Sequence, residues 1–127
     1  MEDLTKKRQG EPGFFGLTGR VALVTGGASG LGKLFCETLA QFGADIVIGD
    51  IDEEGALKTT ELVQKLGRKS LAVRADVSHP DDVEHMVRET VEKLGSIDIL
   101  MNNAGIMTKA NRVADMPVED WDRVIAV

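Results

Sequence analysis

The chain has 127 residues, enough for one domain with its own core and too few for two. Hydrophobic residues make up 43% and charged residues 28%, the balance of an ordinary globular protein. A net charge of −6 argues against nucleic acid or an anionic membrane as partner, and no stretch reaches the apolar length of a membrane span.

Residues 1–16 are polar, charged and interrupted by Gly and Pro, which predicts a flexible arm whose end Phe14 and Phe15 pin to the domain. Its basic residues have no apolar segment behind them, so it does not read as a secretory signal. The domain proper is expected to span residues 17–127. From residue 20 onward two signals alternate. Short β-branched runs predict strands over Val21–Thr25, Asp45–Asp50, Lys69–Ala75 and Ile97–Met101. Helical spacing separates them. The first helix carries Leu31, Leu34, Phe35, Leu39 and Phe42, and the second is more polar, with Ala56, Val63 and Leu66 on one face. A third carries Val83, Met86, Val87, Val91 and Leu94, and Trp121–Val127 begins another.

The punctuation supports this parsing. Gly43, Gly67 and Gly95 each follow a helical segment, where a left-handed residue commonly ends the helix. Asp52 is placed to cap the second helix and Ser78 the third, with Pro80, Asp81 and Asp82 in the first turn of the third. Strands that alternate with helices must be parallel, joined by right-handed crossovers. The expected fold is α/β: a Rossmann-type three-layer arrangement, truncated to about four parallel strands in the order 3-2-1-4.

The first strand runs into the first helix through a glycine-rich turn, VALVTGGASGLG over residues 21–32. Such a turn aims free backbone N–H groups and the positive end of a helix at one point. A pyrophosphate can approach only where side chains are missing. Gly26, Gly30 and Gly32 respectively suit the tight turn, the close approach and the helix–strand contact. Gly27 to Lys33 also fits a P-loop up to its lysine, but Leu34 stands where that loop needs a magnesium-binding hydroxyl. Asp50 ends the second strand about 20 residues after Gly30, where a carboxylate accepts hydrogen bonds from the adenine ribose. It would repel a 2′-phosphate, and Ile51 beside it offers no compensating charge. NAD is therefore favoured over NADP as cofactor.

On these residues the chain resembles the short-chain dehydrogenases/reductases over roughly residues 17–127. Thr25, Gly26, Gly30 and Gly32 match that family's Thr-Gly-x-x-x-Gly-x-Gly turn. Asp76 and Val77 match its Asp-Val pair, and Asn102, Asn103, Ala104 and Gly105 its Asn-Asn-Ala-Gly segment. The resemblance implies that Gly26, Ser29, Gly30 and Leu31 line the pyrophosphate and that Asp50 meets the adenine ribose. It further implies that Asp76 and Val77 lie against the adenine, and that Asn102 to Gly105 border the nicotinamide ribose. It implies a small alcohol or carbonyl substrate, and a dimer or tetramer for the full-length form. Asn102 and Asn103 also suit a plain turn that caps a strand.

The family's catalytic Tyr-x-x-x-Lys pair is absent, because the chain contains no tyrosine. No catalytic residue is therefore assigned, and the chain reads as the truncated cofactor-binding part of an oxidoreductase, inactive alone. A non-catalytic NAD-binding module is the alternative, with a P-loop nucleotidase behind it. His79 and His85 share no metal-ligand spacing with other residues, so no metal site is expected. The acidic run Asp50, Asp52, Glu53 and Glu54 reads as a ribose ligand followed by a negative first helical turn. Lys109 to Arg112 fall in a loop at the expected substrate entrance. The single cysteine, Cys36, is expected to be a packed structural thiol, compatible with a cytoplasmic setting.

Overall fold

The computed structural model describes residues 16–109 and 112–127. The predicted N-terminal arm, with Phe14 and Phe15, lies outside them apart from Gly16. The elements follow in order: β1 (Val21–Thr25), α1 (Gly30–Gln41), β2 (Asp45–Asp50), α2 (Glu53–Lys65), β3 (Ser70–Arg74), α3 (Pro80–Leu94), β4 (Ile99–Met101), a 3₁₀ turn (Val113–Asp115) and α4 (Val118–Ala126). All strand pairs are parallel and the sheet order is β3-β2-β1-β4, as the alternating pattern required.

Side chains alternate across a strand, so the sheet builds two cores. Ala22, Val24, Ile46 and Ile48 face one side and pack with Cys36 and Ala40 of α1 and Ala56 and Val63 of α2. Val21, Leu23, Val47 and Val73 face the other, against Met86 of α3. The apolar strands are buried on both faces, which is why they read as continuous runs.

Three local expectations are corrected. Leu31, Leu34 and Phe42 do not form the inner face of α1; they stand 66%, 54% and 50% exposed, while Gly32, Cys36 and Ala40 face inward. The start of α1 is closely packed on the glycine turn: a β-carbon on Gly32 would stand 2.0 Å from the Gly26 carbonyl oxygen, and one on Gly27 would meet Cys36 Sγ at 3.1 Å. Ser78 does not cap α3. His79 holds the cap position without a side-chain bond, and Ser78 gives both its N–H and its hydroxyl to Asp76 Oδ1. The strand expected over Ile97–Met101 starts only at Ile99. The Asp98 N–H still donates to the Val21 carbonyl at 2.9 Å, but Val21 N donates in return to the Asp98 side chain at 2.9 Å rather than to a backbone carbonyl. That carboxylate also accepts from Ser96 and Arg20. In addition β3 is shorter than predicted at both ends, Leu66 is 43% exposed, and α4 begins at Val118 behind Pro117.

Other expectations hold. Gly43, Gly67 and Gly95 have φ of +104°, +78° and +92°. Asp52 caps α2 by accepting from Gly55 N at 3.0 Å. No helix among the described residues is long and apolar enough to cross a membrane.

β4 is the last strand on one side of the sheet, with Leu100 57% exposed and sharing a groove with exposed Val87 of α3. An open apolar edge of this kind favours association. The 127-residue polypeptide alone is expected to self-associate or unfold with little cooperativity; sedimentation of a single monomer with a sharp denaturant transition would refute this.

Candidate functional site

The C-terminal ends of the four strands and the start of α1 enclose a cleft of about 630 Å³. It is lined by Gly26, Ser29, Leu31, Gly32, Asp50, Asp76, Val77, Asn103, Ala104 and Gly105, so most of the positions singled out in the sequence converge there. Three do not line it. Thr25 is buried beneath the turn, Gly30 is exposed at the start of α1, and Asn102 lines a smaller groove of about 250 Å³ between β4 and α3. Sequence reasoning missed the contributions of Ser78, Ile106, Arg123 and Ala126 to the lining. The last two come from α4, and no periodicity in the sequence indicates that this helix folds back over the cleft.

The glycine turn is shaped by what surrounds it. Gly26 takes φ +69° and Gly30 φ +54°. A β-carbon on Gly32 would stand 2.0 Å from the Gly26 carbonyl oxygen, whereas one on Gly30 would meet nothing within 4 Å. Gly32 is thus demanded by packing, and Gly30 by backbone conformation and an open approach. Ser29 precedes the helix with extended backbone, and its side chain makes no capping bond. The first N–H groups of a helix have no acceptor one turn back, and no acidic residue occupies the first turn of α1. The turn therefore presents unneutralised positive potential to the cleft.

Two interstrand links hold the turn in place. Thr25 Oγ1 accepts from the N–H groups of Asn103 and Ala104, each at 3.1 Å. Asn103 Nδ2 donates to the carbonyls of Thr25 and Gly26 at 3.0 and 3.2 Å. The Asn103 side chain is thereby committed to the turn. On the other flank Asp50 Oδ2 accepts from Ala28 N at 3.0 Å and Oδ1 from Asp52 N at 2.9 Å. Each oxygen keeps a second lone pair for a further donor.

Ser78's side-chain and backbone hydrogen bonds, aided by nearby His79, hold the Asp76 carboxyl below its usual value of 3.8. A carboxyl depressed by folding stabilises the folded state above its unfolded pKa, and that contribution is lost as pH falls through the folded value. Asp76→Asn is therefore expected to flatten the loss of stability below about pH 4, read from urea midpoints down to about pH 2. Parallel acid limbs for the two proteins would refute it. Burial pushes the Cys36 thiol up to about 12, so it stays protonated and unreactive, as its packed position implied. Among the described residues no three His, Cys, Asp or Glu side chains gather as a metal site requires.

A doubly wound parallel sheet with a glycine-rich turn at the switch between its two directions defines a class of α/β proteins that bind ligands at this crevice. The chain belongs to the short chain dehydrogenase family, whose model matches residues 20–127. It is 39% identical over 111 residues to 3beta-hydroxysteroid dehydrogenase 2 of Eggerthella lenta, covering 87% of this chain and 43% of that protein. It is 38% identical over 108 residues to cyclohexanol dehydrogenase of an Acinetobacter species, covering 85% and 43%. Among solved structures, a short-chain type dehydrogenase/reductase from Mycobacterium marinum superposes with a TM-score of 0.84 at 33% identity, over 88% of this chain and 45% of that one. The chain spans less than half the length of these curated relatives.

Proposed function

We propose that this chain is the cofactor-binding part of an NAD-dependent dehydrogenase or reductase acting on a small alcohol or carbonyl compound. One observation carries the reading: the glycine turn, Asp50, Asp76 and the Asn103–Gly105 segment face a single cleft, although they come from four different strand ends. The residues present fit a dinucleotide. The N–H groups of Gly30, Leu31 and Gly32 at the helix start suit a pyrophosphate. The spare lone pairs of Asp50 suit the two hydroxyls of the adenine ribose. Val77 and Ile51 offer apolar surface to the adenine, with Asp76 at its edge. Ala104 and Gly105 leave room for the nicotinamide ribose, with the Thr25–Asn103 and Thr25–Ala104 bonds holding their segment beside the turn.

When bound, the nicotinamide supplies hydride transfer. The chain's own groups bind and orient; none is assigned to move a proton, because the sequence contains no tyrosine for the family's Tyr-x-x-x-Lys pair. The 127 residues alone are accordingly expected to bind cofactor without turnover. A soluble, cytoplasmic homo-oligomer for the full-length form is part of the same proposal. Membership of the dehydrogenase family leaves the P-loop nucleotidase without support.

The preference for NAD rests on Asp50, whose charge opposes a 2′-phosphate. Arg74, its register partner on β3, is a cation at the same strand end, and a preference for NADPH would point to it. Calorimetric titration of the native polypeptide with NADH, NADPH and magnesium–ATP tests the reading. NADH is expected to bind about tenfold or more tighter than NADPH, the worth of one charge-assisted hydrogen bond or more. Binding of magnesium–ATP alone would overturn the dinucleotide assignment. A native polypeptide that binds NADH but has no tyrosine–lysine pair would be a binding module instead.

A further inference from the structure

Thr59 is a polar residue in the middle of α2, fully buried between that helix and the glycine turn. Its hydroxyl lies 3.0 Å from the Gly27 carbonyl oxygen and 3.2 Å from that of Gly55. A threonine hydroxyl has one proton to give. Gly55, four residues earlier in α2, accepts the helical N–H of Thr59 itself. The Gly27 carbonyl is buried, and Thr59 is its donor among the described residues. The proton therefore goes to Gly27.

The Gly27 carbonyl belongs to the same peptide unit as the Ala28 N–H, which donates to Asp50 Oδ2 at 3.0 Å. The unit is planar, so fixing its oxygen fixes the direction of its N–H. It is wedged as well: Ile48 leaves no room for a β-carbon on Gly27. A chain of contacts thus runs from Thr59 through one peptide to the carboxylate at the end of β2.

We propose that Thr59 is a positioning residue that sets the orientation of Asp50 toward the adenine ribose, acting through the Gly27–Ala28 peptide. The proposal rests on the cofactor reading of the cleft. Without the hydroxyl the Gly27 carbonyl is buried without a donor, and the peptide loses the bond that fixes its direction, keeping only its packing against Ile48. Asp50 then loses the N–H that directs one of its oxygens. Thr59 touches no ligand in this scheme, which separates it from the residues lining the cleft.

ADP-ribose is a suitable probe, because it carries the adenine ribose and pyrophosphate but no nicotinamide. In the native polypeptide Thr59→Val, which keeps the shape and removes the donor, is expected to weaken ADP-ribose binding about tenfold, while Thr59→Ser stays within about twofold of the parent. In an Asp50→Asn background the valine substitution is expected to add less than about twofold, since both changes break one path. Unfolding curves recorded alongside establish that each variant is folded at the titration temperature, and Thr59→Ala replaces the valine variant if that one does not fold. Unchanged ADP-ribose affinity in folded Thr59→Val, or additivity with Asp50→Asn, would overturn the proposal and assign Thr59 to the core alone. Failure of the parent protein itself to bind ADP-ribose would instead remove the cofactor reading beneath it.

Discussion

Gly32→Ala is expected to destabilise the protein by about 3 kcal/mol or more, at or beyond the top of the usual range for overpacking, because the new methyl has nowhere to go. Its β-carbon would stand 2.0 Å from the Gly26 carbonyl and 2.6 Å from Asn103 Nδ2, so backbone and the interstrand link must both move. Gly30→Ala, two positions earlier, is expected to behave differently. Its φ of +54° costs a non-glycine residue about 1–2 kcal/mol, but no atom lies within 4 Å of the added methyl. The same methyl would stand at the mouth of the turn and reduce NADH affinity by about tenfold or more. Urea midpoints and calorimetry on the two variants separate the roles. Equal destabilisation would show that packing does not distinguish the two glycines.

Thr25→Val is expected to cost about 2–4 kcal/mol, although it keeps the β-branch and adds little volume. The hydroxyl accepts two backbone N–H groups, those of Asn103 and Ala104, and each part-buried donor left without an acceptor costs about 1–3 kcal/mol. The loss also frees the segment after β4 from the glycine turn, so cofactor affinity should fall together with stability. Thr25→Ser keeps the oxygen and should remain close to the parent in both. Wild-type stability in the valine variant would mean that the sheet ladder alone aligns β1 with β4.

Much of this architecture was legible in the sequence, because the signals that carried it are local. Short β-branched runs and the 3.6-residue period reveal the alternation of elements, and glycines mark the helix ends through a conformation that other residues avoid. The convergence of Gly26, Asp50, Asp76 and Asn103 followed from topology: strand ends of a parallel sheet meet on one edge. What failed depended on distances. Helical spacing marks Leu34 as well as Cys36 for the inner face, yet Leu34 is exposed and the small Gly32, Cys36 and Ala40 face inward, with Gly32 packed against the Gly26 carbonyl. Ser78 has the residue type of a cap, but α3 starts one residue later than the sequence suggests, so His79 holds the cap position and the Ser78 hydroxyl turns back to donate to Asp76. Asn102 and Asn103 looked equivalent, and only the turn of the backbone after β4 places one toward the glycine turn and the other toward the groove beside α3. Thr59 left no signal, since its partner lies 32 residues away in sequence.

The lone thiol has a use that its inertness creates. Cys36 is fully enclosed between α1 and the sheet, and thiol reagents attack the deprotonated sulfur, which this environment suppresses. Alkylation then reports only molecules in which α1 has come away from β1 and β2. Under conditions where closing outpaces labelling, the labelling rate measures the equilibrium fraction of molecules in which α1 is open. A ligand seated at the start of that helix should slow the clock in proportion to its occupancy, giving a label-based binding assay that needs neither chromophore nor catalysis.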